Sequence, residues 1–397
     1  MRRFLAAVLV GLGGLLLVLG IGLRVYVAPA VTKLPYDMRL CPPADQPQPD
    51  GCLKPSVAEA SGATFLDKDG VEIRQGTLRS TTEVVPQPKT TADWQQSGPA
   101  NRLGDNAIVW TVYGAARHVD NNEALISAYS TELAIDRTTG AAVPWDGQWL
   151  DEDDLQAVPR GNVKYEGQVY KFPFGTQKTD YQLYDRDLRK ALPAQFVEVT
   201  DVEGLEAYHF KQTIDRQEVQ NLSPTSLAAL RSKFAPTATT ARVLYSNIRE
   251  VWVDPVTGAY LNVREQQTKI LVPDVGAETT LLQADFKYTS QTVTNAVNSA
   301  KNNHSRLRLV TLYGPLVAIV LAIVAILAGY LLVRRRPTRP APEPNSWDSS
   351  LPKPRHRLKG DEAPSHDGPL TDTVPSSTPT WQGRPGRGAS VGGADPT

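Results

Sequence analysis

Histidine is the side chain whose charge changes nearest neutral pH, and this chain of 397 residues holds five of them. Only His118, His209 and His304 precede residue 334, and none sits at ligand spacing from a second histidine or a cysteine. The chain has no H-E-x-x-H, no G-x-S-x-G and no phosphate loop. A triad drawn from distant residues is recognised by geometry and not by order. It would need His118 or His209 in a cleft beside a Ser, Asp or Glu. His209 lies in the alternating run Gly204 to Phe210, which reads as a packed or surface position. Asp151-Glu152-Asp153-Asp154 is the densest acidic run. Carboxylates suit Ca²⁺ or Mg²⁺, but a calcium loop spaces its ligands around a glycine turn. Consecutive carboxylates point in different directions, so a solvated loop or a helix start is the expectation. Trp145 and Trp149, and the Lys171-Phe172-Pro173-Phe174-Gly175 turn, could form an aromatic ledge, but packing is the simpler reading. We expect no catalytic, cofactor-binding or metal-ligating residue, and no enzyme.

Cys41 and Cys52 bracket ten residues that include four prolines and a glycine. A thiol pair this close oxidises outside the cytoplasm. The closed loop would stabilise by about 3 kcal/mol in the chain-entropy model. Redox-active pairs are spaced C-x-x-C, so this one is expected to be a structural disulfide. Two cysteines are also too few for a four-cysteine zinc site.

The elements that must position these residues are segregated along the chain. Phe4 to Leu23 and Val310 to Val333 carry no charge. At 1.5 Å per residue, about 20 apolar residues cross a hydrocarbon core of about 30 Å, with every backbone group bonded inside the helix. Arg2 and Arg3 precede the first span, and Arg334, Arg335, Arg336 and Arg339 follow the second. The positive-inside rule then puts both termini in the cytoplasm of a plasma membrane. Ala28-Pro29-Ala30 resembles a signal-cleavage site, but the apolar stretch exceeds a signal core, so an uncleaved anchor is expected. Lys+Arg and Asp+Glu both total 42. This balance removes the basic stripe that nucleic acid would require. Residues 337–397 hold 12 prolines and no apolar periodicity, the composition of a disordered segment.

Between the spans the period is mostly two, as in Ala107 to Tyr113 and Arg249 to Asp254. A D-x-x-T-G element occurs twice, at Asp136 to Gly140 and Asp254 to Gly258, each between strand-like runs. Asp can accept from its own downstream amides, and Gly tolerates φ > 0, so both are expected to be hairpin turns. Leu66 to Val71 reads as a looser hairpin. Ser223-Pro224 opens a short helix. Tyr184 to Leu192 pairs Asp185 with Arg189 at helical spacing and predicts a second one. Thr292 to Arg308 predicts a helix running into the second span. The expected fold is a β-rich (α+β) extracytoplasmic domain built from antiparallel hairpins, flanked by two transmembrane α-helices, with a disordered C-terminal tail. Its boundaries are a 1–3 cytoplasmic start, a 4–23 span, a 24–309 domain, a 310–333 span and a 334–397 cytoplasmic tail.

These features resemble an actinobacterial two-span membrane family of unknown function, labelled the porin PorA family. The resemblance rests on Tyr129-Ser130 before Asp136-Arg137-Thr138-Thr139-Gly140, on Lys171-Phe172-Pro173-Phe174 leading to Tyr181, on Gly204 to Phe210, and on the second D-x-x-T-G. It covers roughly residues 1–335, implies a cell-envelope location and brings no catalytic residues. The layout is also similar to class B scavenger receptors, with two anchors around a β-rich lipid-handling domain; that likeness is architectural.

The expected partners are the lipid bilayer and an apolar or lipidic envelope ligand bound or passed on by the central domain. Such a ligand needs a shaped cavity and few titratable groups. A channel component acting as an oligomer and an envelope hydrolase are the alternatives.

Overall fold

The computed structural model describes residues 1–42, 46, 49, 52–67, 71–98, 103–152, 159–220 and 222–334. The expected disordered tail therefore lies outside the described residues beyond Arg334. So do Asp153 and Asp154 of the acidic run and the tip of the Leu66 to Val71 hairpin.

Among the described residues, two helices are long and apolar enough to cross a membrane: α1, Arg2–Val31, and α4, Ser290–Arg334. They pack against each other through small residues. Gly13 and Gly20 are buried on α1, and Ala322, Ala325 and Gly329 on α4. A Cβ at Gly13 would lie 2.5 Å from Ile326 Cγ1 and 2.9 Å from the Ala322 carbonyl. Close backbone approach is what small residues permit between membrane helices. The outer faces, with Leu15, Val18, Val320 and Leu331, stay exposed. α1 takes a π turn where its apolar stretch ends, at Leu23–Val27, and α4 where its own begins, at Leu309–Tyr313. Ala28-Pro29-Ala30 continues α1 as a last helical turn. The run predicted as a helix from Thr292 starts at Ser290, capped by the Thr289 hydroxyl, and does run on into the apolar stretch.

The described strands form one antiparallel sheet: β1 Ser56–Asp67, β2 Glu72–Pro86, β3 Ala107–His118, β4 Ala124–Asp136, β5 Trp149–Asp151, β6 Tyr181–Asp185, β7 Lys190–Val202, β8 Leu205–Glu218, β9 Ala241–Val253, β10 Tyr260–Pro273 and β11 Thr279–Tyr288. Their order is β5-β4-β3-β2-β1-β11-β10-β9-β8-β7-β6. Two meanders thus run outward from the central β1–β11 pair, in which Ala58 faces Tyr288 and Phe65 faces Leu282. The two far edges are brought together by the segment around Gln168, which bridges Ala141 beyond β4 and Leu183 in β6. Gln168 N donates to Gln182 O at 2.6 Å, and Ala142 N to Gly167 O at 2.8 Å. The sheet is consequently a half-barrel, stitched at one end. Two short helices, α2 (Pro88–Gln96) and α3 (Pro224–Phe234), flank it. The predicted cap of α3 is present, with Ser223 Oγ accepting from Ser226 N at 3.0 Å.

One sequence expectation fails. Tyr184 to Leu192 is the end of β6, a turn, and the start of β7, with Tyr184 opposite Ala191 and Asp185 opposite Lys190. Arg189 has φ +52°, which a helix does not admit. Asp185 turns away from Arg189 to pair with Arg249 at 3.3 Å. The helical charge spacing was incidental, because tertiary pairing overrides weak i,i+4 preferences. Pro193 sits in β7 opposite Gln182, one residue before the pairing with β8 begins.

Candidate functional site: the half-barrel cavity

Strand side chains alternate between faces, and the concave face of the half-barrel encloses a cavity of about 1820 Å³. Glu265, Gln267 and Lys269 on β10, Ser80, Thr82 and Val84 on β2, and Tyr245, Arg249 and Val251 on β9 all line it, at the two-residue period. Its far end is apolar. Phe65 and Leu78 belong to one cluster there, and Val243, Leu230 and Leu281 to another. At the other end the lining reaches Ala30 and Val31 of α1 and Leu307 and Val310 of α4.

A belt of ion pairs crosses this cavity. Arg249 Nε lies 2.7 Å from Glu265 Oε1 and its Nη2 3.3 Å from Asp185 Oδ2, while Nη1 donates to Tyr184 O and Gln212 Oε1. Lys269 Nζ meets Asp187 at 2.5 Å. Arg186 meets Glu152 at 3.2 Å, with its guanidinium 3.8 Å from the Tyr129 ring centre. Burial pushes the Asp185 carboxyl up, and Arg249 offsets this only in part. At Glu265 burial acts the same way, but Arg249, Gln267 and Arg186 together outweigh it and hold the carboxyl below its usual range. Burial also raises the phenols of Tyr165 and Tyr245. Glu152, expected to be solvated, instead pairs with Arg186 and Arg189 from the β6–β7 turn.

The two D-x-x-T-G turns, read from sequence as separate hairpins, converge at the stitched end of the sheet. Asp136 Oδ1 accepts from Thr138 N at 2.9 Å and Thr139 N at 2.7 Å. Asp254 accepts from Val256 N at 3.2 Å and Thr257 N at 3.1 Å. Between them runs Lys171-Phe172-Pro173-Phe174-Gly175. Phe172 N donates to Gly258 O at 2.8 Å, Phe174 N to Thr138 O at 3.0 Å, and Gly175 N to Val256 O at 3.1 Å. Gly140 and Gly258 have φ +69° and +73°. Lys171 is buried and donates from Nζ to Phe172 O at 2.9 Å and to Thr257 O. Burial draws its amine down to about 7, against the partial opposing pull of Asp254.

Each turn is also tied to one apolar helix. Arg137, in the first, exchanges backbone and side-chain bonds with Leu34, just past α1, and lies over the Tyr36 ring at 3.7 Å. Asp254, in the second, meets His304 Nε2 of α4 at 2.8 Å. Sequence reasoning missed this pair; the signal available was His304 on the same face of α4 as Val293, Val297 and Ala300. The other two histidines lie on β3 and β8, with five strands between them. His118 stacks edge-on to Phe65, with ring centres 4.9 Å apart. His209 stacks on Trp252 at 4.6 Å, its nitrogens 3.8 Å from Glu198 and 3.4 Å from Glu250. Trp145 is buried edge-on against Trp94, with ring centres 5.1 Å apart, as packing required. Cys41 and Cys52 form a disulfide across a Cα–Cα distance of 4.8 Å. Their loop adjoins the cavity through Cys52, Leu53 and Lys54.

The chain is similar to a protein named Porin PorA from Corynebacterium resistens, 23% identical over 255 residues, covering 59% of this chain and 61% of the relative. It is also similar to a Porin PorA from Corynebacterium amycolatum, 21% identical over 328 residues, covering 69% of this chain and 79% of the relative. The chain thus spans less than two thirds of the first relative's length and about four fifths of the second's. The model of the family described as Porin PorA matches residues 5–331, which takes in the half-barrel and all but the outermost residues of both apolar helices. The chain belongs to the Porin PorA family.

Proposed function

We propose that this membrane protein of the cell envelope is a non-enzymatic carrier, whose half-barrel holds the apolar part of a membrane amphiphile outside the cytoplasm. The cavity carries the reading: it joins an apolar far end to the roots of both apolar helices. A ligand with hydrocarbon chains can leave the bilayer and stay out of water along that path. Its volume exceeds the ~300–1,000 Å³ usual for small-molecule sites, which suits a long or multi-chain ligand. In this reading both termini are cytoplasmic, α1 and α4 are spans, and the disulfide loop lies outside, where thiols oxidise.

The relatives' name favours a second reading, an ion or solute channel. The charged belt inside the half-barrel is compatible with water. However, the sheet's outer face carries Arg264 paired with Glu250 and Asp285, and Arg79 paired with Glu59 and Glu123. A membrane barrel needs an apolar outer band there, so conduction would demand several copies of the helix pair. Lipid extraction from the purified full chain followed by mass spectrometry separates the two. A stoichiometric amphiphile, with no discrete current steps in planar bilayers, is expected. Reproducible unitary currents from a lipid-free protein would overturn the carrier reading.

A further inference from the structure

Before its apolar stretch, α4 packs on the sheet through Val297 and Ala300, against Ala207 and Leu261. One turn beyond Ala300 the contact becomes polar. His304 Nε2 lies 2.8 Å from Oδ1 of Asp254, a fully buried residue. Asp254 also accepts from its own turn, from Val256 N, Thr257 N and Thr257 Oγ1. Thr257 in turn accepts from Lys171 Nζ through its carbonyl. Two bases thus flank one buried carboxylate, one carried by α4 and the other by the Lys171–Gly175 segment. Both sides of this joint line the cavity, Lys171 and Thr257 from the wall and Asn303 and Leu307 from α4.

A buried carboxylate must be balanced by charge or by donors. An imidazolium would give Asp254 a charge-assisted bond, about twice as strong as the neutral one. Lys171 and His304 repel each other when both are charged, so each resists the other's proton. Burial draws the Lys171 amine down to about 7. At higher pH that amine is neutral, and among the described groups bonded to Asp254 His304 is the one that can carry a charge. The neighbouring charged groups are engaged elsewhere or exposed. On α4, Lys301 donates to Glu203 O of the β7–β8 turn, and Arg306 and Arg308 follow His304 at exposed positions. Glu206 on β8 is exposed, and Arg264 and Lys287 on β10 and β11 pair with Asp285. Across the Lys171–Gly175 segment, Asp136 accepts from Asn106, and Arg137 donates to Leu34 O. We propose that His304, Asp254 and Lys171 form a proton-operated joint, which clamps the base of α4 to the cavity wall when His304 is charged and loosens it when His304 is neutral. Histidine changes charge nearest neutral pH, so the clamp is strongest below that range and is lost as pH rises and the proton leaves. The gap between α4 and the wall, and with it entry to the cavity, then widens. The joint does not depend on what the cavity holds.

The test uses full-length protein in lipid nanodiscs, spin-labelled at Asn302→Cys on α4 and Val199→Cys on β7, both exposed positions. Cys41 and Cys52 stay out of the labelling reaction because they are joined to each other. Pulsed electron resonance reads the distribution of distances between the labels. It should be narrow at about pH 6 and roughly twice as wide at about pH 8.5, on either side of the histidine transition. Lys171→Met removes the repelling charge, so the narrow distribution should persist to higher pH than in the wild type. His304→Gln should be wide at both pH values. A wild-type width that does not change with pH would overturn the joint. So would an equal pH response in His304→Gln, or an unshifted transition in Lys171→Met. If His304→Gln does not fold, the wild type and Lys171→Met still decide between these outcomes.

Discussion

At Lys171 the Nζ partners are two backbone carbonyls, and burial draws the amine down to about 7. The folded chain therefore binds fewer protons here than the unfolded chain between pH 7 and the ordinary lysine value of about 10.4. Stability must rise with pH across that window, and at lower pH the cost of a buried ammonium is fully present. Relative to wild type, Lys171→Met should be most favourable at pH 6–7 and lose up to roughly 4 kcal/mol of that advantage by pH 10. Thermal melts of the solubilised chain at several pH values measure this, and a pH-independent difference would contradict it. Gly258 is the stricter position nearby. Its φ is +73°, and a Cβ would lie 2.0 Å from Phe172 O. Gly258→Ala should cost more than about 2 kcal/mol. Gly140→Ala, whose nearest atom is 2.9 Å away, should cost less. Equal melting temperatures for wild type and Gly258→Ala would refute the close approach of Lys171–Gly175 to this turn. The Asp and Gly of each turn were legible in sequence, because the chemistry that makes them is local. Their convergence was not, since Lys171–Gly175 lies 31 residues from Gly140 and 79 from Asp254 along the chain, and no local period records such pairings.

Among the elements, the apolar helices and the hairpin strands are written in period and composition, and they appear close to the residues expected. Tyr184 to Leu192 shows where that reading stops. Asp185 and Arg189 sit four apart in a turn as readily as in a helix, and Arg249, from a strand two hairpins away, decides the outcome. The glycines of α1 separate into packed and unpacked sets that composition alone could not sort. Gly13 meets Ile326 and Ala322, while Gly11 has nothing within 4 Å of a built Cβ. Gly13→Leu should therefore weaken the α1–α4 pair and Gly11→Leu should not. Disulfide trapping between cysteines placed at facing positions of the two helices would report it, and equal trapping in both variants would contradict the packing. At the Cys41–Cys52 loop, substitution of both residues by serine should cost about 3 kcal/mol by loop-closure entropy. Denaturant melts with and without reductant would show a matching loss in the wild type; an unchanged midpoint would mean the loop is held by other contacts.

For the molecule as a whole, closure of the sheet is the feature no residue announces. Each hairpin could be drawn from its turn, but the curl that brings β5 and β6 toward each other depends on Gln168 and on the β1–β11 pairing of the first and last strands. The cavity follows from that curl, and so does the position of its mouth beside α1 and α4. One measurement goes to this claim directly. A phospholipid with a photoactivatable diazirine at the end of its acyl chain would be irradiated with full-length protein in bilayers, and the adducts mapped by peptide mass spectrometry. Adducts are expected on inward-facing residues of the far end, such as Phe65, Leu78 and Leu281, at a depth along the sheet that bilayer lipid cannot reach. Adducts confined to the exposed faces of the helices, at residues such as Leu15, Val18, Val320 and Leu331, would contradict it.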